Sequence, residues 1–143
     1  MKIRKGKLSD AKEILKILNS TPEFGGGVGK ENPPLSYVKA FLSDKNMNLA
    51  LIAEEDKEMV GFIISEVWKK KSFSFLVYLW VKKDFRRKGV GVKLLKTFEK
   101  ECKKLKLKKI SFLVLQSNKL MQSWCKKQKI KRGDKFYYYA KKL

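Results

Sequence analysis

Val81-Lys82-Lys83-Asp84-Phe85-Arg86-Arg87-Lys88-Gly89-Val90-Gly91-Val92-Lys93-Leu94-Leu95 is the stretch whose reading decides the fold. Before it runs an apolar segment, "SFSFLVYLWV" (72–81), with the composition of a strand. After the glycines Val90, Leu94, Leu95, Phe98, Cys102 and Leu105 recur at helical spacing, so residues 89–105 read as one amphipathic helix with Cys102 as core filling. The start of a helix offers unpaired backbone N–H groups and a partial positive charge, and glycine side chains keep no anion away. Arg86, Arg87 and Lys88 add formal charge. The turn reads as an anion cradle or as a plain left-handed turn that needs glycine for positive φ, and these residues alone leave both readings open.

Outward from this point, "MKIRKGKL" reads as a first strand and "SDAKEILKILNS" as a helix capped by Ser9 or Asp10, with Ile14, Leu15 and Leu18 on one face. "EFGGGVGKENPP" follows, either a substrate loop or a flexible connection. "LSYVKAFLS" is expected as a short helix with Leu35, Val38, Phe41 and Leu42 inward. "NLALIAEE" and "EMVGFIISEVW" read as paired strands around a turn at Glu55-Asp56-Lys57. Beyond the long helix, "KISFLVLQ" is too apolar for an exposed strand, which gives a strand, helix, strand crossover with parallel pairing. "SNKLMQSWCKKQ" reads as a last helix and "DKFYYYAKKL" as a closing strand, with Phe136 and Tyr138 on one side and Tyr137 and Tyr139 on the other. The expected fold class is α/β (α+β): one domain over residues 1–143, a mixed central sheet, and the order β-α-α-β-β-β-α-β-α-β.

Length and composition narrow the function. A chain of 143 residues, 43% hydrophobic, is long enough for one core. It has no run of about 18 apolar residues and no apolar stretch after the basic "MKIRK", so a cytoplasmic chain without a membrane partner is expected. With no His, and Cys102 and Cys125 far apart, neither a structural metal nor a disulfide framework is expected. The net charge of +21 invites nucleic acid, but the lysines are scattered from Lys2 to Lys142 and only four Arg occur, whereas bidentate base readout favours Arg. A solvated Lys-rich surface and a surface tuned for anionic partners both remain.

Two phosphate motifs fail on spacing. For GxGxxG, the third glycine position after Gly89 and Gly91 is Leu94; for GxxxxGK[ST], "FGGGVGKE" begins at Phe24 and ends at Glu31. The pattern that fits is [Arg/Gln]-x-x-Gly-x-Gly between a strand and a helix, Arg86-x-x-Gly89-x-Gly91. On it the sequence resembles the GNAT superfamily of N-acetyltransferases. "IRKGKLSDAKEI" is similar to the family's opening strand and helix, "LWVKKDFRRKGVGVKLL" to its coenzyme A motif, and "LQSNKLMQSWCKKQKI" to its Asn-containing closing helix.

The resemblance implies an enzyme that uses acetyl-CoA as cosubstrate and transfers its acetyl group to a primary amine by direct attack in a ternary complex. The donor would lie in a V-shaped opening between the strand carrying Leu79, Trp80 and Val81 and the strand ending near Gln116. The backbone of Leu79–Val81 would pair with the pantetheine arm, Arg86, Arg87, Lys88, Gly89, Val90, Gly91 and Val92 would hold the pyrophosphate, and Asn118 would sit beside the arm or cap its helix. Trp80 serves as packing or as a cofactor contact. The catalytic candidates are Glu66 as base, Tyr78 where relatives often carry an acid, and Cys125 where they place a Tyr; Cys125 also suits packing, and a water relay needs none of the three. Leu113 stands where some relatives carry a Glu, and Lys129-Ile130 where the family has Gly-Phe. The acceptor is a peptide, protein or small-molecule amine, with multiply cationic acceptors opposed by charge, and the protein is a monomer or homodimer. Two rivals stand beside this reading: a module that binds acyl-CoA without turnover, and a basic nucleic-acid-binding protein.

Overall fold

The computed structural model describes residues 1–24 and 33–143; most of the Gly-rich segment expected as a substrate loop or connection therefore lies outside the described residues. The elements are β1 (Lys2–Lys5), α1 (Ala11–Ser20), α2 (Leu35–Ser43), β2 (Asn48–Glu55), β3 (Glu58–Trp68), β4 (Phe73–Val81), α3 (Val90–Lys104), β5 (Lys109–Ser111) and α4 (Lys119–Lys127). The sheet runs β1-β2-β3-β4-β5; its first four strands are antiparallel and β5 joins β4 in parallel through the α3 crossover. Asp56 and Lys57 both take positive φ in the β2–β3 hairpin, as a two-residue turn that follows strand twist requires.

The sheet is covered on both faces. Leu49, Leu51 and Ala53 of β2 meet Val90, Leu94, Leu95, Phe98 and Cys102 of α3. The alternate residues Ala50 and Ile52 meet Ile14, Leu18, Val38, Phe41 and Leu42 of α1 and α2. The period of 2 in the strands against 3.6 in the helices produces this division. Each fully buried Leu, Ile or Phe contributes about 1.5–3 kcal/mol. Gly61 of β3 lets α3 sit close: a Cβ there would come within 3.0 Å of the Trp80 carbonyl oxygen and 3.1 Å of Leu94.

β4 carries an extra residue. Ile64 faces Tyr78 and Ser65 faces Leu76, so Val77 is bulged out of register. Leu76 packs towards α3, Val77 and Tyr78 both towards α1 and α2, and alternation then resumes with Leu79 and Val81 towards α3 and Trp80 away from it. Pairing of β4 with β5 covers only Phe73–Phe75 against Lys109–Ser111. From Leu76 to Val81 that edge of β4 has no strand beside it among the described residues, and the two parallel strands part.

Four expectations are corrected. The strand expected over "KISFLVLQ" ends at Ser111. The closing strand is absent: residues 131–143 form neither helix nor strand, and Phe136, Tyr137, Tyr138 and Tyr139 are 78%, 83%, 58% and 87% exposed. Aromatic alternation gives strand propensity, but a strand exists only where its N–H and C=O groups find a partner. Leu105 lies at the C-cap of α3, 37% exposed, and Leu107 enters the core instead. Asp10 stands at the N-cap of α1 but its side chain makes no capping bond to that helix; it is 8% exposed and accepts from Arg4 Nη1 and Nη2 (2.9 and 2.8 Å) and the Lys7 amide (2.7 Å), while Arg4 Nε donates to Glu54 (2.9 Å).

The corner at Lys129-Ile130 after α4 forms without a glycine. Lys129 takes φ 58, its amide donates to the Lys126 carbonyl, and the Ile130 amide reaches back to the Cys125 carbonyl at 3.0 Å while Ile130 packs on the α3-side core. This is the paired-bond helix ending for which glycine is favoured. Lys106 and Leu107 repeat it after α3, with φ 58 and a Leu107 bond to the Cys102 carbonyl. Lys129→Gly is therefore expected to raise stability by about 1 kcal/mol in a denaturant titration, because a non-glycine residue in that region costs about that much.

Candidate active site

The seam between β4 and the chain after β5 leads to the start of α3. A 3₁₀ turn at Lys83–Phe85 ends β4, and Arg86 Nε donates to the Val81 carbonyl at 3.0 Å. Arg86 is thus tied back to the strand it follows. Arg87 (φ 62) and Gly89 (φ 81) are left-handed with Lys88 between them outside that region, an alternation that turns successive amides to one side. The first intrahelical donor is Lys93, bonded to the Gly89 carbonyl at 2.9 Å, so the Val90, Gly91 and Val92 amides precede it as the free donors of a helix start. A Cβ on Gly89 would meet nothing within 4 Å, so the cradle is open on that side. Gly91 faces Val81 and the Trp124 ring of α4, and Val90 is buried and anchors the turn. The geometry suits a diphosphate: free amides, a helix start, and exposed Arg87 and Lys88 around it.

The side chains of Leu79 and Val81 pack on the α3-side core, and Trp80 stacks on Phe62 with ring centroids 5.6 Å apart. Trp80 is packing. What this part of β4 presents along the seam is main chain.

On the α1/α2 face, three groups gather. Tyr78, next to the bulge, meets Phe24 edge to face at 5.3 Å and interacts with the Tyr37 hydroxyl. Tyr37 stands edge to face with Phe41 at 4.9 Å and feels the charge of Glu66. Burial first, and then Tyr37, pushes the Tyr78 phenol up to about 12; burial and the Glu66 charge raise Tyr37 as well, partly offset by Tyr78. Both phenols keep their protons at any physiological pH. Glu66 accepts from Trp68 Nε1 at 3.3 Å. A cavity of about 350 Å³ opens beside it, lined by Tyr37, Phe41, Met47, Asn48, Glu66 and Trp68 among others.

The sequence candidates are thus divided between two places. Glu66 and Tyr78 come together through Tyr37, while Asn118 and Cys125 belong to α4, whose Trp124 packs on the α3-side core. Asn118 caps α4, its Oδ1 accepting from the Met121 amide at 3.0 Å. Cys125 is half-buried, and burial pushes its thiol up. Leu113 is 71% exposed. Tyr37 was missed by sequence reasoning; the available signal was a polar-tipped aromatic four residues before Phe41, on one face of the same helix. Among the described residues no group of three or more His, Cys, Asp or Glu is placed to hold a metal ion. No described helix is long and apolar enough to cross a membrane.

Compared with known proteins, residues 12–128 match the family model described as the acetyltransferase (GNAT) family, and the chain belongs to that family. Its activity is transfer of an acetyl group from acetyl-CoA, the cosubstrate, to an amine. No curated protein matches it by sequence. Among solved structures, the chain is similar to the aminoglycoside acetyltransferase AAC(6')-Iy in complex with the bisubstrate analogue CoA-S-monomethyl-acetylneamine (14% identity, 99% of this chain and 98% of that one, TM-score 0.78). It is also similar to the aminoglycoside 6'-N-acetyltransferase AAC(6')-IG of Acinetobacter haemolyticus (17%, 100% and 99%, TM-score 0.77). A ribosomal-protein-alanine N-acetyltransferase from Brucella melitensis biovar Abortus 2308 has the same fold (19%, 100% and 100%, TM-score 0.71). At these identities the shared property is the fold.

Proposed function

We propose that residues 1–143 form one acetyltransferase unit in which a primary amine attacks the acetyl thioester directly within a ternary complex. The observation that carries this is the bared edge of β4 running into the Gly89-led start of α3, main-chain donors laid along a single path. Leu79–Val81 hold the pantetheine arm through their backbone, the segment from Arg86 to Val92 takes the pyrophosphate, and Asn118 braces α4 beside the arm. Amides near Trp80 and Val81 face the oxygen on which negative charge develops.

In the step itself a nitrogen–carbon bond forms, the carbon–sulfur bond breaks, the nitrogen loses one proton and the sulfur gains one. Glu66 draws the nitrogen's proton away through water. Tyr78, near 12, is a poorer acid than a thiol of about 8.5 by roughly three powers of ten, so it donates a hydrogen bond and keeps its proton. Water supplies the sulfur's proton, because burial pushes the Cys125 thiol on α4 up and makes it a poorer donor. The two free cysteines suit a reducing cytoplasm, and the protein acts there as a monomer or homodimer.

Calorimetry with acetyl-CoA, followed by assay of free CoA with a panel of amines, tests the reading. Saturable binding and amine-dependent CoA release are expected. Binding without amine-dependent release would leave a non-catalytic acyl-CoA binder.

A further inference from the structure

The α1/α2 face, with its cavity, also bears on which amine is used. Its framing side chains are apolar or aromatic: Phe41, the 40% exposed Tyr37, the 56% exposed Met47 and the 45% exposed Trp68. Large apolar groups left open to solvent around a concave surface mark a place where apolar matter docks. Among the cavity's lining residues Glu66 is the only ionised one, and among the described residues it has no Lys or Arg within ion-pair distance. Trp68 Nε1 orients the carboxylate while Phe73 stacks on the Trp68 ring at 5.9 Å, so the wall that holds Glu66 is itself held. The cavity's roughly 350 Å³ lies at the small end of the range for ligand sites, about 300–1,000 Å³.

We infer that this cavity is the acceptor site and that the acceptor is a small amine with one positive charge on an apolar or aromatic body, of the arylalkylamine type. The inference rests on the acetyl-transfer reading and narrows it. Glu66 pairs with the ammonium, and Tyr37, Phe41, Met47 and Trp68 take the body. A polycation gains one carboxylate here and meets the repulsion of a +21 chain, whereas a monoamine gains the same carboxylate with a third or less of the repulsion. The same charge sets this protein apart from a design for aminoglycosides.

The test compares kcat/KM for phenethylamine, spermidine, neamine and a neutral-sided tetrapeptide, with acetyl-CoA affinity measured alongside by calorimetry. Phenethylamine is expected to lead each of the others at least about tenfold. Glu66→Gln is expected to lower kcat/KM for phenethylamine about 20-fold or more, through a raised KM as the ammonium loses its partner and a lowered kcat as the nitrogen loses its proton acceptor, with the acetyl-CoA Kd unchanged within twofold and Glu66→Asp recovering part of the loss. A lead for spermidine, neamine or the peptide, or an unchanged KM in Glu66→Gln, overturns the inference while leaving acetyl transfer intact. Failure of the unaltered protein to bind acetyl-CoA would overturn the acetyl-transfer reading and this inference together.

Discussion

Replacing Gly89 by Val is expected to weaken acetyl-CoA binding at least about 30-fold in calorimetry, with the melting temperature falling by no more than about 5 °C. Gly89 sits at φ 81 at the N-cap of α3. Left-handed backbone costs an ordinary L-residue about 1–2 kcal/mol, and a β-branched one more. Space is not the obstacle, since an added Cβ touches nothing within 4 Å; the penalty is conformational. The cheapest relief is for the residue to leave the left-handed region, which swings the amides of Gly89 and Val90 away from the side to which the turn aims them. A loss of about 2 kcal/mol in binding corresponds to the 30-fold change. The helix itself remains pinned by Val90, Leu94 and Phe98 in the core, which is why stability should suffer less than affinity. A Kd within threefold of the unaltered protein would show that the start of α3 is not the diphosphate site.

Asp10→Ala should cost about 3 kcal/mol of stability and lower the melting temperature by about 10 °C in calorimetric or dichroism scans. The change leaves the half-buried Arg4 guanidinium without its two-pronged partner and the Lys7 amide without an acceptor, and the first strand loses its tie to the entrance of α1. Glu54 retains Arg4 Nε, so the network is reduced rather than dissolved. Its pH dependence has a definite sign. Burial alone would raise the Asp10 carboxyl, but the Arg4 hydrogen bonds, the Lys7 amide and the nearby charges overcome burial and hold it below the usual range. A group whose folded pKa is depressed contributes in full above its unfolded value, about 3.9, and that contribution is lost as pH falls through the lower folded value. The gap between Asp10→Ala and the unaltered protein should therefore be constant from about pH 5 to 8 and close in acid below about pH 4. A gap that persisted undiminished at low pH would mean that ionised Asp10 is not its source.

Much of this molecule can be read before folding because the signals are local. The glycine turn, the helical spacing from Val90 to Cys102, and the bounds of β2 and β3 follow from periodicity and turn chemistry within short windows. What could not be read is pairing over distance. "KFYYYA" has every local mark of a strand, yet it lies outside the sheet, and no window of sequence says whether β5 will extend far enough to receive it. Asp10 looks like a cap because caps are the usual use of Asp at such a place; that Arg4 claims it depends on β1 and α1 meeting. Tyr37 acquires its partners only when α2 lies over β3 and β4, 29 and 41 residues further along the chain at Glu66 and Tyr78. At Lys129 the residue type misleads and the backbone does not, since the left-handed corner forms without the glycine that usually announces it.

The bulge at Val77 has a consequence for how such a protein changes over time. By turning two successive side chains, Val77 and Tyr78, to one face, it leaves Leu79 and Val81 packed behind the strand; in the function proposed above, the donor then meets the peptide backbone of β4, while the acceptor meets side chains of α2 and β3. Mutation edits side chains and spares backbone. The choice of amine can therefore wander through substitutions on α2 and β3 while the demand for the thioester stays fixed, and one scaffold can be handed from one acceptor to the next without relearning its first substrate.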